Sequence, residues 1–245
     1  MTLRTRHLLV VAATAVALVG CSKTESPVPA QSPSSSATAA PQEGSDSSAT
    51  PKHGAMRYLA LGDSLSQGVG APDEQTGSFP ALLAEKWRGA GCQVELQNAG
   101  ISGYTAEQVL TDEVPQIDEF QPTLITFQAG GNDLVNGVSA DEYRSNVQAV
   151  LDAATGSGAR VIVLAQNEWF RAPSGQGYIE PQARDEFDSI LIEEANARGA
   201  EFVDMRPIYK QQADDNQWVE DGIHPTPEAY EAWATELASQ VPAPC

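Results

Sequence analysis

One serine, one imidazole and one carboxylate stand where acyl-transfer chemistry could use them. The apolar run Tyr58-Leu59-Ala60-Leu61 feeds into Gly62-Asp63-Ser64, and glycines follow at 68 and 70. Gly62 permits a sharp turn at the end of a buried strand, leaving Ser64 at its carboxyl end. Gly, Asp and Ser are also ordinary turn residues, so this stretch alone decides nothing. Of the three histidines, His7 and His53 lie in the N-terminal appendage, and His224 is the only imidazole of the downstream sequence. Acyl transfer needs a serine that loses its proton as it attacks and a base titrating near neutrality to take it. It also needs a carboxylate to orient that base and donors facing the oxyanion. Ser64, His224 and Asp221 fill the first three roles. The backbone N–H groups of Ser64 and Gly100, with the side-chain amide of Asn132, are the candidate oxyanion donors.

These residues must be gathered by the elements between them. From Met56 onward, short apolar runs alternate with segments of helical period. Arg57–Leu61, Gln93–Leu96, Leu124–Phe127, Val161–Leu164 and Phe202-Val203 read as strands. Phe79–Arg88, with Pro80 in its first turn, reads as a helix. Thr105-Ala106-Glu107-Gln108 has the form of a capping box opening a short helix that Pro115 breaks or ends. Ser139-Ala140-Asp141-Glu142 opens a helix with the stripe Tyr143, Val147, Val150 and Leu151. Another carries Phe187, Ile190, Leu191 and Ala195 and stops near Gly199. The last begins at Thr226-Pro227 and turns Tyr230, Trp233 and Leu237 inward. Asn167–Ile179 and Arg206–Pro225 read as irregular.

Strands alternating with helices predict an α/β fold: a three-layer α/β/α sandwich over a parallel sheet of order 2-1-3-4-5. In that order Ser64, Gly100, Asn132 and the loop holding Asp221 and His224 all leave the carboxyl edge. The first and last helices share a face, which brings Cys92 and Cys245 to one edge. A disulfide between them is expected; two free thiols are the alternative.

The N-terminus differs in kind. Arg4, Arg6 and His7 precede an apolar run from Leu8 to Val19. It is too short for a permanent membrane helix, which needs about 20 residues, and suits the apolar core of an export signal over residues 1–20. Leu18-Val19-Gly20-Cys21 resembles a bacterial lipobox, in which Cys21 becomes the lipidated first residue. Val19 departs from the usual small residue, and a conventional secretory signal is the alternative. Residues 21–54, rich in Ser, Pro and Ala, read as a disordered tether, and 55–245 as the catalytic domain. A lipid on Cys21 would place that domain on the outer face of the cell membrane.

The 245-residue chain has a formal charge of −19; from residue 54 onward ten Lys and Arg face thirty Asp and Glu. Such a surface argues against nucleic acid as a partner and against a domain lying flat on anionic lipid. Contact with the membrane is expected only through Cys21, and the chain is expected to act as a monomer.

The motifs together resemble those of the SGNH/GDSL hydrolases. Gly62-Asp63-Ser64-Leu65 is similar to the first block of that family, and Asn98-Ala99-Gly100 to the second. Gly130-Gly131-Asn132-Asp133 is similar to the third, and Asp221-Gly222-Ile223-His224-Pro225 to the last. The resemblance spans about residues 56–240. It implies a flavodoxin-like sandwich, esterase or lipase chemistry through an acyl-enzyme on Ser64, no metal or cofactor, and an ester substrate. Asp63 and Asp133 are expected to bond turn amides, not to react. Trp169, Phe170, Tyr178 and Trp218 are either a satellite core or walls of a substrate pocket. A silent glycan- or lipid-binding lipoprotein, or an acyltransferase using the same residues, are the competing functions.

Overall fold

Met56–Gly62 forms β1, the strand between β2 and β3 in a five-stranded parallel sheet of order β2-β1-β3-β4-β5. The others are β2 (Val94–Asn98), β3 (Leu124–Gln128), β4 (Arg160–Leu164) and β5 (Glu201–Val203). The molecule is described by a computed structural model over residues 55–177, 180–243 and 245. The expected signal peptide, Cys21, the tether and Tyr178 therefore lie outside the described residues.

The sheet is covered on both faces, and the period-2 alternation of each strand divides the core in two. Tyr58, Ala60, Leu124, Ile162 and Leu164 point to one face, where they meet α3 (Phe79–Gly89), α9 (Arg206–Asp214) and α10 (Pro227–Gln240). Leu59, Leu61, Ile125, Phe127, Val161 and Val163 point to the other. That face is covered by α4 (Ala106–Gln108), α5 (Gln116–Phe120), α7 (Ala140–Gly156) and α8 (Pro181–Arg198). Three short helices, α1 (Ser64–Gln67), α2 (Glu74–Gly77) and α6 (Gly131–Val135), lie in the connections leaving β1 and β3.

The caps follow the sequence chemistry. Thr105 and Gln108 form a reciprocal capping box, and Ser139 and Thr226 accept N–H bonds at the starts of α7 and α10. After α4 the chain widens into a π-helical turn, Val109–Glu113, before Pro115 caps α5. Trp87 anchors α3 to the chain end by donating from Nε1 to the Val241 carbonyl at 3.2 Å. Beside it Cys92 and Cys245 are disulfide-bonded, with Cα atoms 5.6 Å apart.

Two expectations are corrected. Arg206–Pro225 is not irregular throughout, because its first half is α9. Pro207 sits in the first turn, and Tyr209 and Gln212, three residues apart, bury one narrow side. With a Gln on the buried side, the stretch has no apolar period to read. The strand limits also shift, most for β2, which runs to Asn98 and not to Leu96. Its pairing with β1 continues until Ala60 lies opposite Asn98.

Candidate active site

The serine turn is built by close approach. A Cβ on Gly62 would strike the Gln128 carbonyl of β3 and the Ser66 hydroxyl, so only glycine fits where β1 ends. Asp63 then caps α1, its Oδ1 accepting the Leu65 N–H at 3.0 Å. This places Ser64 at the first helical position, where its own N–H has no intrahelical acceptor. The turn closes at Gly68, whose φ of 98° is left-handed. Ser64 is almost wholly buried, so only its hydroxyl side faces the cleft.

The loop after α9 delivers the imidazole. The Val219 N–H donates to the His224 carbonyl at 2.9 Å, and an isolated bridge pairs Trp218 with Pro225. Within this loop Asp221 Oδ1 accepts the N–H groups of Ile223 and His224 at 2.8 and 3.0 Å. Its Oδ2 lies 2.6 Å from His224 Nδ1. On the far side of the ring, Nε2 is 2.9 Å from Ser64 Oγ. Burial alone would raise the Asp221 pKa, but the donated N–H bonds and the imidazole outweigh it and hold the group below the usual carboxylate range. An ionised Asp221 keeps the proton on Nδ1, so Nε2 is the acceptor for the serine hydroxyl. Residues 160 positions apart are thus in hydrogen-bond contact.

Asn132 lies in the first turn of α6. Its Nδ2 donates to the Tyr104 carbonyl at 2.9 Å, which fixes the amide plane and leaves the second N–H of the same nitrogen uncommitted. Gly100 packs behind the serine turn, where a Cβ would lie 2.7 Å from Ser66 Cβ and from the Gln67 nitrogen. Its N–H donates to Asn98 Oδ1 at 3.2 Å, and the Asn98 amide in turn donates to the Ser66 carbonyl at 2.6 Å. Asn98 therefore ties β2 to the serine turn. The sequence reading placed Asn98 in a motif without giving it this role.

Asp133 accepts the Ala106 N–H with both oxygens, at 3.2 and 3.0 Å, and so docks α4 against α6. Asp63 and Asp133 are both fully buried. Desolvation pushes the Asp63 pKa up to about 7 and that of Asp133 to about 6.

An open cleft of about 440 Å³ adjoins Ser64, Asn132 and His224. Ser102 and Gly103 line one side; Val135, Trp169 and Ile223 give it apolar walls. Trp169 does two jobs, since it also belongs to the core and fills the space beside Gly131. Phe170 instead sits under the Arg184 guanidinium, 5.2 Å from ring centroid to Cζ, and Trp218 is buried. The aromatic residues described here thus divide between wall and core.

Comparison with known proteins agrees with this geometry. The sequence model of the GDSL-like Lipase/Acylhydrolase family matches residues 60–232. An arylesterase of Vibrio mimicus is 30% identical over 186 residues, covering 75% of this chain and 86% of that protein. Thioesterase 1/protease 1/lysophospholipase L1 of Escherichia coli K12 is 28% identical over 192 residues, covering 75% and 82%. Among solved structures, the psychrotrophic esterase EstA from Pseudoalteromonas superposes with a TM-score of 0.64 at 22% identity. That match covers 76% of this chain and 96% of that one, and it supports the fold.

Proposed function

The chain belongs to the GDSL-like lipase/acylhydrolase family and is a serine esterase, and on that premise we propose that it works through an acyl-enzyme on Ser64. The observation that carries this reading is the continuous contact from Asp221 through His224 to Ser64. Ser64 Oγ attacks the ester carbonyl carbon while its proton passes to His224 Nε2. The oxyanion is held by the Ser64 N–H, the free N–H of Asn132 and the Gly100 N–H, once the last turns from Asn98. The tetrahedral carbon then expels the alcohol, which takes the proton from Nε2. Water repeats the sequence on the acyl-enzyme, releasing the acid and restoring Ser64.

The apolar walls formed by Val135, Trp169 and Ile223 fit an aryl or alkyl group on the ester. The names of the relatives, an arylesterase and a thioesterase/lysophospholipase, lie in the same range of substrates. Turnover of p-nitrophenyl acetate and labelling by a serine-directed organophosphate test the mechanism. Both are expected in the wild type and absent in Ser64→Ala. Equal rates in the two proteins would overturn it.

The enzyme acts outside the cell as a monomer, held to the membrane by a lipid on Cys21; the N-terminal sequence supports the anchor. Expressed in a bacterial host, the full chain should incorporate labelled fatty acid, and Cys21→Ser should release it to the medium. A wild type that is secreted without lipid would refute the anchor and leave the esterase standing.

A further inference from the structure

Beneath the serine turn lies a second carboxylate that catalysis as described above does not use. The π-helical turn Val109–Glu113, closed by the Val114 N–H donating to the Val109 carbonyl at 3.0 Å, carries Glu113 into the interior. Glu113 is fully buried, and its Oε2 accepts the N–H of Gly62 at 2.8 Å. Gly62 precedes Asp63, the residue that caps the serine turn. The remaining oxygens, Glu113 Oε1 and Asp63 Oδ2, are both buried and neither has a hydrogen-bond donor. A buried carboxyl with an oxygen left without a donor favours its protonated form.

We propose that Glu113 is a positioning residue which, through its bond to the Gly62 N–H, locks the turn that presents Ser64. In this arrangement Glu113 accepts from Gly62 at Oε2 and stays a neutral carboxyl with its own proton. The charges around Glu113 and Asp63 favour that proton. Asp63 faces Glu113 across the turn, Asp112 lies beside it on the same turn, and Asp133 faces Asp63 from α6; all are acidic. Glu107 and Glu142 add negative charge around Asp133, and the phenols of Tyr104 and Tyr143 supply no counter-charge. Burial, opposed by the Gly62 N–H, lifts the Glu113 pKa to about 9.

The proposal rests on the esterase reading for its activity arm alone. Glu113→Gln keeps an acceptor for the Gly62 N–H, whereas Glu113→Leu removes it. With p-nitrophenyl acetate at pH 7, Glu113→Leu should lower kcat at least about tenfold with little change in KM. Glu113→Gln should recover most of that loss. Melting temperature, which needs no turnover, is followed from pH 5 to 9. The wild-type value should fall across this range as the unfolded chain ionises and the buried Glu113 carboxyl resists, and the fall should be shallower in Glu113→Gln. A Glu113→Gln protein as impaired as Glu113→Leu, or one whose melting temperature falls as steeply as the wild type's, would overturn the proposal. If Glu113→Leu does not fold, the comparison of slopes decides.

Discussion

Asp221 makes two kinds of contact with His224, a backbone one that shapes the loop and a side-chain one that orients the ring. Asp221→Asn should therefore keep the fold and lose about 10²–10⁴-fold in kcat, through the wrong tautomer of His224. If Asn132 donates to the oxyanion as proposed, Asn132→Ala should lower kcat by about 10²–10³ while KM moves little. On the acid side, kcat/KM should fall as the imidazole gains a proton, because a protonated Nε2 cannot accept from Ser64. A profile with no fall on the acid side would remove His224 from the role of base. Steady-state kinetics with a chromogenic ester reads all three.

The loops owe their accuracy to what lies under them. Gly100 touches the back of α1 so closely that Gly100→Ala must displace the serine turn. A shift near 1 Å at a reacting atom costs on the order of 10²-fold, so that variant should fold and hydrolyse esters poorly. Behind the aromatic wall, Arg184 reaches Glu168 at 3.1 Å and Asp188 at 3.5 Å, all three buried. Asp188 Oδ1 accepts the Gln166 N–H at 2.8 Å, joining α8 to the end of β4. Removing the guanidinium leaves Glu168 and Asp188 with only the more exposed Arg171, at 3.4 Å, and Arg206, at 4.0 Å. Arg184→Met should cost about 3–5 kcal/mol in a urea titration. A loss under 1 kcal/mol would show that the cluster holds the loop weakly.

Across the whole domain, two sets of acids shift in opposite directions. Asp63, Asp133, Asp188 and Glu113 are buried, and their pKa values are raised to about 7, 6, 6 and 9. The folded state therefore holds more protons than the unfolded chain from about pH 4 upward, and stability falls as pH rises through that window. Asp204, Asp221 and Glu201 titrate below their usual range, so their contribution is lost only in stronger acid. The melting temperature should accordingly peak near pH 4 and decline toward pH 9, as calorimetry would show. The Cys92–Cys245 bridge spans 153 residues of chain. On the chain-entropy argument it is worth up to about 5 kcal/mol, and its reduction should lower the melting temperature by roughly 5–15 °C. No change on reduction would mean that the chain end is held by Trp87 and Val241 alone.

Patterns of residue type sufficed for the order of strands and helices, because burial on both faces of a parallel sheet demands apolar runs separated by helical periods. They also singled out Ser64, Asp221 and His224 as candidates, since few residue types can do the chemistry and the domain has one histidine, and the fold brings these three into hydrogen-bond contact. Helix α9 escaped because its buried side includes Gln212, and a polar buried residue carries no periodic signal. Asn98 and Glu113 escaped for a related reason. Their partners, the Ser66 carbonyl and the Gly62 N–H, are backbone groups 32 and 51 residues away, and backbone atoms leave no trace in composition. Only folding brings them within hydrogen-bond distance, and only there does the π turn, one residue wider than a normal turn, aim Glu113 at the strand that carries the serine.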